Sequence, residues 1–549
     1  MKNKLYILIS SSFLLTAMSS CNGYLDETPY SFVAPENFFE SATDAELALT
    51  GLYDILNTPN VQGQGNHHLW GRGMHYLTAI GNDELVANNT APEIDYIAYS
   101  NYTYHPGTET GTYVWIFLYA GINRANYILE RVPNIEMDEG RKNEILAEAH
   151  FLRGLFYFYT GFFWGGVPIV TTTEVVEKTG RNTLEEVMAQ SKNDLQFAYD
   201  HLQERNMKSG RANKYSAAGM LAKLYLYLGT SKKNNVGSAF SNELNNFDWV
   251  NVEECLTKAS QLCQEIYDQS DYRLIDNYAY LFLAATEEEA RNEHIFLVQA
   301  GPGGSNEHIL SAYLSGPTGN VVTNGGTYGR LRPLIELYNK YDAADGRMTN
   351  NMVGSIQTTT QFVMINNIPY FVPAALNTNT FANYNLGKYR EADPENKTSR
   401  GIPNWAGETD FGIIRFGDIV LMLAELKFYE GNELGARELI REIRARASEY
   451  DNNRLEQITQ AYYKIDFIEE LLDERSRELC AEGWRRFDLI RLNKLGETVR
   501  GLQTTTAVMN IQNVPEIKAN YEDFKIWYPI PRREIELNPL LTQNFGYTN

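Results

Sequence analysis

The chain has 549 residues, of which 43% are hydrophobic and 21% charged, a composition typical of a globular protein. Its formal net charge is -21. Nucleic acid and anionic lipid surfaces both attract clustered Lys and Arg, so this charge argues against either as a partner.

The N-terminus carries the signs of export. Lys2 and Lys4 precede an apolar stretch from Leu5 to Leu15, and small residues lead to Cys21. About 11 apolar residues are too few for a spanning helix, which needs roughly 20. The pattern predicts a signal peptide over residues 1–20 and a lipid on Cys21, which would anchor the mature chain to a bacterial membrane without spanning it.

Residues 35–290 are predicted to be mostly helical. Apolar residues recur every three or four positions from Glu144 to Phe163. Thr183 and Glu186 form a predicted capping box for a helix over Leu184–Leu202. A further apolar stripe, from Ala217 to Leu228, is predicted to end at Gly229. The N-terminal half is therefore expected to be a set of paired helices.

Helical periodicity is lost between about residues 295 and 405, where Gly, Asn, Thr, Pro and Tyr dominate. Short apolar or β-branched runs at Ile295–Val298 and Gln361–Val372 are candidate strands. A loop region this long is usually either functional or wrongly assigned as a loop. Helices are predicted again at Phe416–Tyr429 and Leu434–Ala447. This pair is similar to a tetratricopeptide helix pair, with small residues where the helices approach.

After lipidation of Cys21, the remaining cysteines are Cys255, Cys263 and Cys480. Cys255 and Cys263 are eight residues apart in one predicted helix, about 12 Å along its axis, which is too far for a disulfide. We expect no framework of disulfides. No CxxC or CxxH spacing indicates zinc, and we expect neither a metal nor a cofactor.

Several segments together resemble the SusD/RagB family, the surface glycan-binding lipoproteins of Bacteroidetes. The matching segments are Glu148–Arg153 with Gly165–Pro168, Gly210–Leu228, Phe416–Glu425, Glu474–Glu478, Glu482–Arg491, Tyr528–Pro531 and Asn538–Tyr547. They follow one another in the family's order over nearly all of the mature chain.

The resemblance implies a mostly α-helical fold, a superhelix of four tetratricopeptide-like helix pairs with an irregular, loop-rich ligand-binding face. It divides the mature chain into an N-terminal region, 21–290, and a C-terminal region, 291–549, packed as one fold. It also implies attachment to the outer membrane by lipid, on the cell surface, beside a SusC-like TonB-dependent transporter. The charged residues between Glu474 and Arg491 are expected to form structural ion pairs along one helix face rather than a catalytic site.

The implied ligand is an oligosaccharide or polysaccharide, delivered to the transporter without catalysis. Aromatic faces suit sugar rings, and Asn, Asp and Arg suit their hydroxyls. Loop-like segments supply the predicted ligand-binding residues Trp70, Arg72, Tyr76, Asp83, Tyr96, Tyr99, Tyr328 and Trp405. Arg330, Tyr370 and Tyr384 belong to the same irregular middle segment. The alternatives are a peptide-binding importer of the RagB type, a glycoside hydrolase and a scaffold without a nutrient ligand.

Overall fold

The structure is a computed structural model that describes residues 38–57, 68–88, 94–174, 178–204, 210–300, 329–354, 362–372, 376, 384–390, 396, 399–400, 407–504 and 514–548. Helices dominate these residues. They are α1 Ala42–Asp54, α2 Met74–Thr78, α3 Ile94–Ser100, α4 Glu109–Arg131, α5 Glu139–Trp164, α6 Leu184–His201, α7 Lys214–Lys233, α8 Val252–Gln269, α9 Glu287–Ala290, α10 Ile335–Tyr338, α11 Met348–Asn351, α12 Phe416–Tyr429, α13 Glu433–Ala447, α14 Asn452–Tyr462, α15 Phe467–Leu479, α16 Arg485–Arg491, α17 Leu495–Gly501, α18 Val514–Asn520 and α19 Arg532–Leu537.

The strands are short and pair antiparallel. They are β1 Leu85–Ala87, β2 His294–Val298, β3 Leu331–Pro333, β4 Met352–Val353, β5 Phe362–Ile365, β6 Ile368–Phe371, β7 Asn385–Leu386 and β8 Phe411–Arg415. The pairs are β1 with β3, β2 with β8, β4 with β7 and β5 with β6. Both predicted strand runs are confirmed in the described residues, and the second is a hairpin. Asn366 and Asn367 turn it with φ of 48° and 64°, the left-handed conformation that a tight hairpin turn requires.

The long helices form one array in which each packs on the next. α4 packs on α5, α5 on α6, α6 on α7 and α7 on α8. The array then continues from α8 to α12 and from α12 to α13, so it crosses residue 290 without a break. The predicted mostly helical fold with tetratricopeptide-like pairing is confirmed. The division into two regions at residue 290 stays a prediction.

Glycines let the central helix α5 lie close to both neighbours. A Cβ on Gly121 of α4 would lie 2.3 Å from a ring carbon of Phe156, and one on Gly161 of α5 would lie 2.0 Å from the Met188 terminal methyl of α6. A side chain at either position would displace the partner side chain, and the Phe156 ring has less freedom to move than the end of Met188. Small residues at these crossings therefore set the spacing of the array.

Local signals define most helix ends correctly. The Thr183–Glu186 capping box is present and α6 starts at Leu184 as predicted. Gly165 ends α5 with φ of 76°. The predicted end at Gly229 is wrong, because α7 continues to Lys233. A Cβ on Gly229 would lie 3.1 Å from the Cys255 Cβ, so this glycine permits close packing of α7 on α8 instead of ending a helix.

A buried ion-pair network surrounds α15. Its members share near-complete burial and at least one oppositely charged partner. They are Asp83, Lys223, Glu293, Asp345, Arg347, Lys388, Arg415, Asp418, Glu425, Arg444, Arg446, Glu474, Arg475, Arg477, Glu478, Glu482, Arg485, Asp488 and Arg491.

Glu478 shows how the network joins separate elements. It accepts from Arg415 Nη1 at 2.6 Å, from Arg347 Nη1 at 2.9 Å and from Arg446 Nη2. These arginines lie at the end of β8, before α11 and in α13. The predicted pairing along one helix face holds for Arg477 with Glu474 and for a few others, but most partners come from other elements. The network therefore fixes the positions of these elements relative to one another.

The three cysteines after Cys21 are buried free thiols. Burial raises the pKa of Cys480 to about 12, so its thiol stays protonated. Within the ranges given above, no helix combines the length and apolarity needed to cross a membrane.

Replacing Glu478 by Gln should lower the free energy of unfolding by about 3–5 kcal/mol, since three buried guanidinium groups would lose a shared carboxylate. Chemical denaturation measures this. The matched control is Glu497→Gln, which removes one exposed partner of Lys494 and should cost at most about 1 kcal/mol. Equal small effects from both variants would show that the network does not hold the fold.

The network also predicts how stability depends on pH. Burial alone would raise the pKa of Asp418, but Lys223 and Arg475 lower it from 3.8 to about 2. Burial alone would also raise the pKa of Glu482, but Arg415 and Lys388 lower it below its ordinary value. A carboxylate with a lowered folded-state pKa stabilises the fold above its unfolded pKa, and this stability is lost as the pH falls through the folded value. The free energy of unfolding should therefore fall steeply from pH 4.5 to about 2, measured by denaturant titration at each pH.

Candidate functional site

The aromatic residues predicted from the segment around Trp70 lie in the core. Trp70 is 2% exposed and meets the Tyr159 ring edge-on at 5.4 Å. Tyr99 stacks on Tyr104 at 5.0 Å, and Tyr76 and Tyr96 are also buried. The turn at Leu69–Gly73 packs on α4 and carries its side chains inward. The expectation that Trp70, Tyr76, Tyr96 and Tyr99 face a ligand is therefore corrected, because all four rings are buried in the core.

Asp83 is also closed off, by its charge partners. Arg485 Nε donates to Oδ1 at 2.7 Å, and Lys340 Nζ donates to Oδ2 at 2.7 Å. Burial alone would raise the pKa of Asp83, but Arg485 and Lys340 hold it well below its usual range. The carboxylate links the N-terminal region to α16 and is not available for sugar hydroxyls. The sequence predicts an exposed acid here because its partners are 257 and 402 residues away.

Arg72 remains a candidate among the described residues. It is partly exposed, and its Nε donates to the Tyr76 hydroxyl at 2.9 Å. Tyr328 and Trp405, like the lipidation residue Cys21, lie outside the described residues. The two aromatics stay predictions as ligand contacts.

Two hydrogen-bonded frames join chain positions that border segments outside the described residues. In the first frame, Asn57 Nδ2 donates to the Gln299 carbonyl at 3.1 Å. Next to Gln299, the Ala300 amide donates to Asp410 Oδ1 at 2.9 Å. The chain positions that border segments 58–67, 301–328 and 401–406 are thereby held together.

The second frame is built on the β1–β3 and β4–β7 pairs. The Asn88 amide donates to the Arg330 carbonyl at 2.8 Å, and Arg332 Nη1 donates to the Tyr384 carbonyl at 3.4 Å. Asn385 Nδ2 donates to the Gly354 carbonyl at 3.3 Å. This frame holds the residues that border segments 89–93, 355–361 and 377–383. It also includes Arg330, which lies just after segment 301–328. The β-pairs thus gather the chain borders that flank these segments.

The polar side chains at the frames are buried, and their hydrogen bonds hold the frames together. Asn57, Asn88 and Asn385 provide amides, and Tyr384 lies 5.4 Å from the Tyr338 ring. Tyr384 and Tyr370, both named from the sequence, are buried, and the Tyr370 hydroxyl accepts from the Ala285 amide at 3.1 Å. Asparagine is common in loops for conformational reasons, so the sequence gives no signal that singles out these amides.

Two acidic side chains beside the first frame have raised pKa values. Burial first, and then the Asp410 carboxyl, raises the pKa of Glu287, while burial raises the pKa of Asp410. The Asp410 amide also donates to Glu287 Oε1 at 3.1 Å. Among the residues with described placement, no group of three or more His, Cys, Asp or Glu side chains is arranged to hold a metal ion.

Comparisons with known proteins agree along the whole chain. Residues 338–547 match the SusD family model, and residues 23–226 match a model described as "Starch-binding associating with outer membrane". A SusD-like protein of Formosa agariphila is 26% identical, covering 100% of this chain and 99% of that protein. The starch-binding protein SusD of Bacteroides thetaiotaomicron is 24% identical, with 100% of both chains covered.

Solved structures show the same fold. A laminarin-binding SusD-like protein superposes with a TM-score of 0.67 at 22% identity, covering 92% of this chain and 100% of that one. Surface glycan-binding protein A from Bacteroides thetaiotaomicron, in complex with laminarihexaose, gives a TM-score of 0.68 at 17% identity, covering 92% and 99%. With the helical array and the sequence matches at both ends of the chain, these likenesses lead to one conclusion: the chain belongs to the SusD/RagB family.

Proposed function

We propose that this protein is a glycan-binding lipoprotein that captures an oligosaccharide or polysaccharide and delivers it to a SusC-like TonB-dependent transporter. The observation that carries the proposal is full-length similarity to proteins named as starch-binding and, in the same fold, laminarin-binding. The protein acts by binding and does not cleave its ligand. The ligand is carried by the irregular segments, whose described borders form the two frames.

The architecture supports a binding surface built on a rigid support. Loops on a rigid scaffold are where binding residues concentrate, and here the helical array and the ion-pair network provide the scaffold. The buried amides of the frames hold the borders of these segments in place, and Arg72 offers a partly exposed guanidinium nearby in sequence. Tyr328 and Trp405 are the proposed stacking residues, because the other predicted aromatics are buried.

Attachment to the outer membrane follows from Cys21 in this proposal. A lipid on Cys21 anchors the chain, and the family model that matches residues 23–226 is described by its association with the outer membrane. The anchor places the binding surface at the cell surface beside the transporter.

Trp405→Ala should abolish retardation of the soluble protein, starting after Cys21, in affinity electrophoresis against a panel of plant, fungal and host glycans. Loss of one stacked aromatic removes much of the sugar-binding surface while leaving the free energy of unfolding unchanged.

Trp70→Ala is the matched control for that experiment. It deletes a buried indole, so it should lower the free energy of unfolding by about 3–5 kcal/mol. In gels run under conditions where this variant is folded, it should retain glycan binding. Retardation of the wild type by no glycan, with binding of peptides instead, would favour an importer of the RagB type. Release of shorter sugars by the purified protein would favour a hydrolase.

Cys21→Ser should release the protein from the outer membrane when it is expressed in its native host, because the serine accepts no lipid. Fractionation followed by immunoblotting measures this, with surface labelling of intact cells as the second readout. Retention of the serine variant in the membrane fraction would contradict anchoring through Cys21.

A further inference from the structure

A cavity lies at the end of the β4–β7 pair that is farther from the second frame. Val353 pairs with Asn385 at the end that carries the second frame, whereas Gly387 and Asn351 meet at the other end. Beyond this other end is a cavity of about 430 Å³. Its walls come from the turn before α11, the end of α13 and the 276–279 segment. That volume lies within the usual range for small-molecule sites, roughly 300–1,000 Å³.

Two of the three arginines that line the cavity are neutralised. Arg347 pairs with Asp345, Glu474 and Glu478 at 2.7–2.9 Å. Arg446 pairs with Glu293 at 3.2 Å and with Glu478. Their charges therefore belong to the buried ion-pair network.

The third arginine, Arg390, has no such partner among the residues that the structure describes. Its Nε is shielded from solvent and makes no hydrogen bond there, and no carboxylate pairs with its guanidinium. Burial lowers the pKa of Arg390, a shift that the Tyr370 hydroxyl only partly offsets. A shielded cation without a counterion is costly, and the two other arginines of this cavity each have carboxylate partners.

The acidic groups on the cavity wall have other roles. Glu449 accepts from Arg454 Nη1 at 2.7 Å, so its charge is balanced. Asp276 lies beside Tyr450, where burial first and then this carboxylate raise the pKa of the tyrosine. Asp276 and Asn277 thus provide acceptors suited to hydroxyl donors, and their presence disfavours a polyanion as the occupant.

The rim of the cavity also carries a flat aromatic surface on strained backbone. Tyr450 is 52% exposed. Glu449 and Tyr450, which line the cavity, have φ of 54° and 59°, a left-handed conformation that is uncommon for such residues. Strained residues of this kind concentrate at functional sites.

We propose that this cavity binds a sugar ring that carries one anionic group, a carboxylate or a sulfate ester. Arg390 pairs with the anionic group, Asp276, Asn277 and Asn350 bind the hydroxyls, and Tyr450 contacts the ring face. The inference rests on the proposed glycan-binding function and narrows its ligand class to an acidic glycan. Among the described residues that line the cavity, Arg390 is the cation without a carboxylate partner, which matches one anionic group, and the acceptors around it match hydroxyls.

The test is ligand-observed NMR titration of the soluble protein with four probes: D-glucuronate, D-glucose 6-sulfate, D-glucose and inorganic sulfate. We expect the two acidic sugars to bind more tightly than glucose or sulfate, and the stronger of the two identifies the anionic group. Arg390→Gln should weaken their binding about tenfold or more, because a charge-assisted hydrogen bond is lost. Arg390→Lys should retain part of the affinity.

The matched control is Arg500→Gln, which removes an exposed arginine paired with Asp523 and should leave binding unchanged. The free energy of unfolding of Arg390→Gln should be unchanged or higher, since a cation without a counterion is removed; a decrease would indicate a structural role and overturn the proposal. Equal affinity for glucuronate in wild type and Arg390→Gln, or equal affinity for sulfate and the acidic sugars, would also overturn it. Suppose that neutral glycans retard the protein in affinity electrophoresis and that no acidic sugar binds in the NMR titration. This result would refute the inference and leave the proposed function intact.

Discussion

Glu474 and Glu478 of α15 have almost no access to water, and the positions of the surrounding elements depend on how these two charges are paired. Glu474 and Glu478 each accept from three arginines that come from different parts of the chain. A buried carboxylate that lost these partners would carry a large desolvation penalty. Each of these arginines must therefore be in place for the two carboxylates to remain buried. The pairing fixes β8, α11, α13 and α15 relative to one another.

This constraint explains how a fold with few and short strands can support irregular segments. The helical array supplies bulk burial, with glycines at the closest crossings, and the network fixes the elements that follow it. The β1–β3 and β4–β7 pairs then need only two or three residues each, because the helices and ion pairs beneath them already hold their ends. The helical array and the ion-pair network therefore make the two frames rigid.

The sequence predicts what depends on local pattern. The Thr183–Glu186 box and the apolar stripe of α5 are local, and both are confirmed. Gly229 shows the limit, because a glycine that ends a helix and one that lets a neighbour approach look alike until the neighbour is known. Asp83 and Trp70 show a wider limit. Their partners, Arg485 and Tyr159, are distant in sequence, so composition alone indicates a polar and aromatic surface where the fold makes a core.

The resemblance to a family predicted the fold and the class of ligand, whereas only the structure shows that Arg390 has no carboxylate partner among the described residues. Nothing in the residues around position 390 distinguishes this arginine from those of the network. The distinction is the absence, among the described residues, of a carboxylate within reach. Such an absence is a property of the folded arrangement and has no local signature.

Hydrogen–deuterium exchange of the soluble protein, with and without a saturating oligosaccharide found by the glycan screen, tests the central claim most directly. The account predicts that the ligand protects peptides that contain Tyr328, Trp405 and the frame residues Asn57 and Asn88, while peptides from α5, α7 and α15 exchange slowly and equally in both states. Protection confined to the helical array, or no protection at a saturating ligand concentration, would contradict a ligand surface carried by the irregular segments on a rigid scaffold.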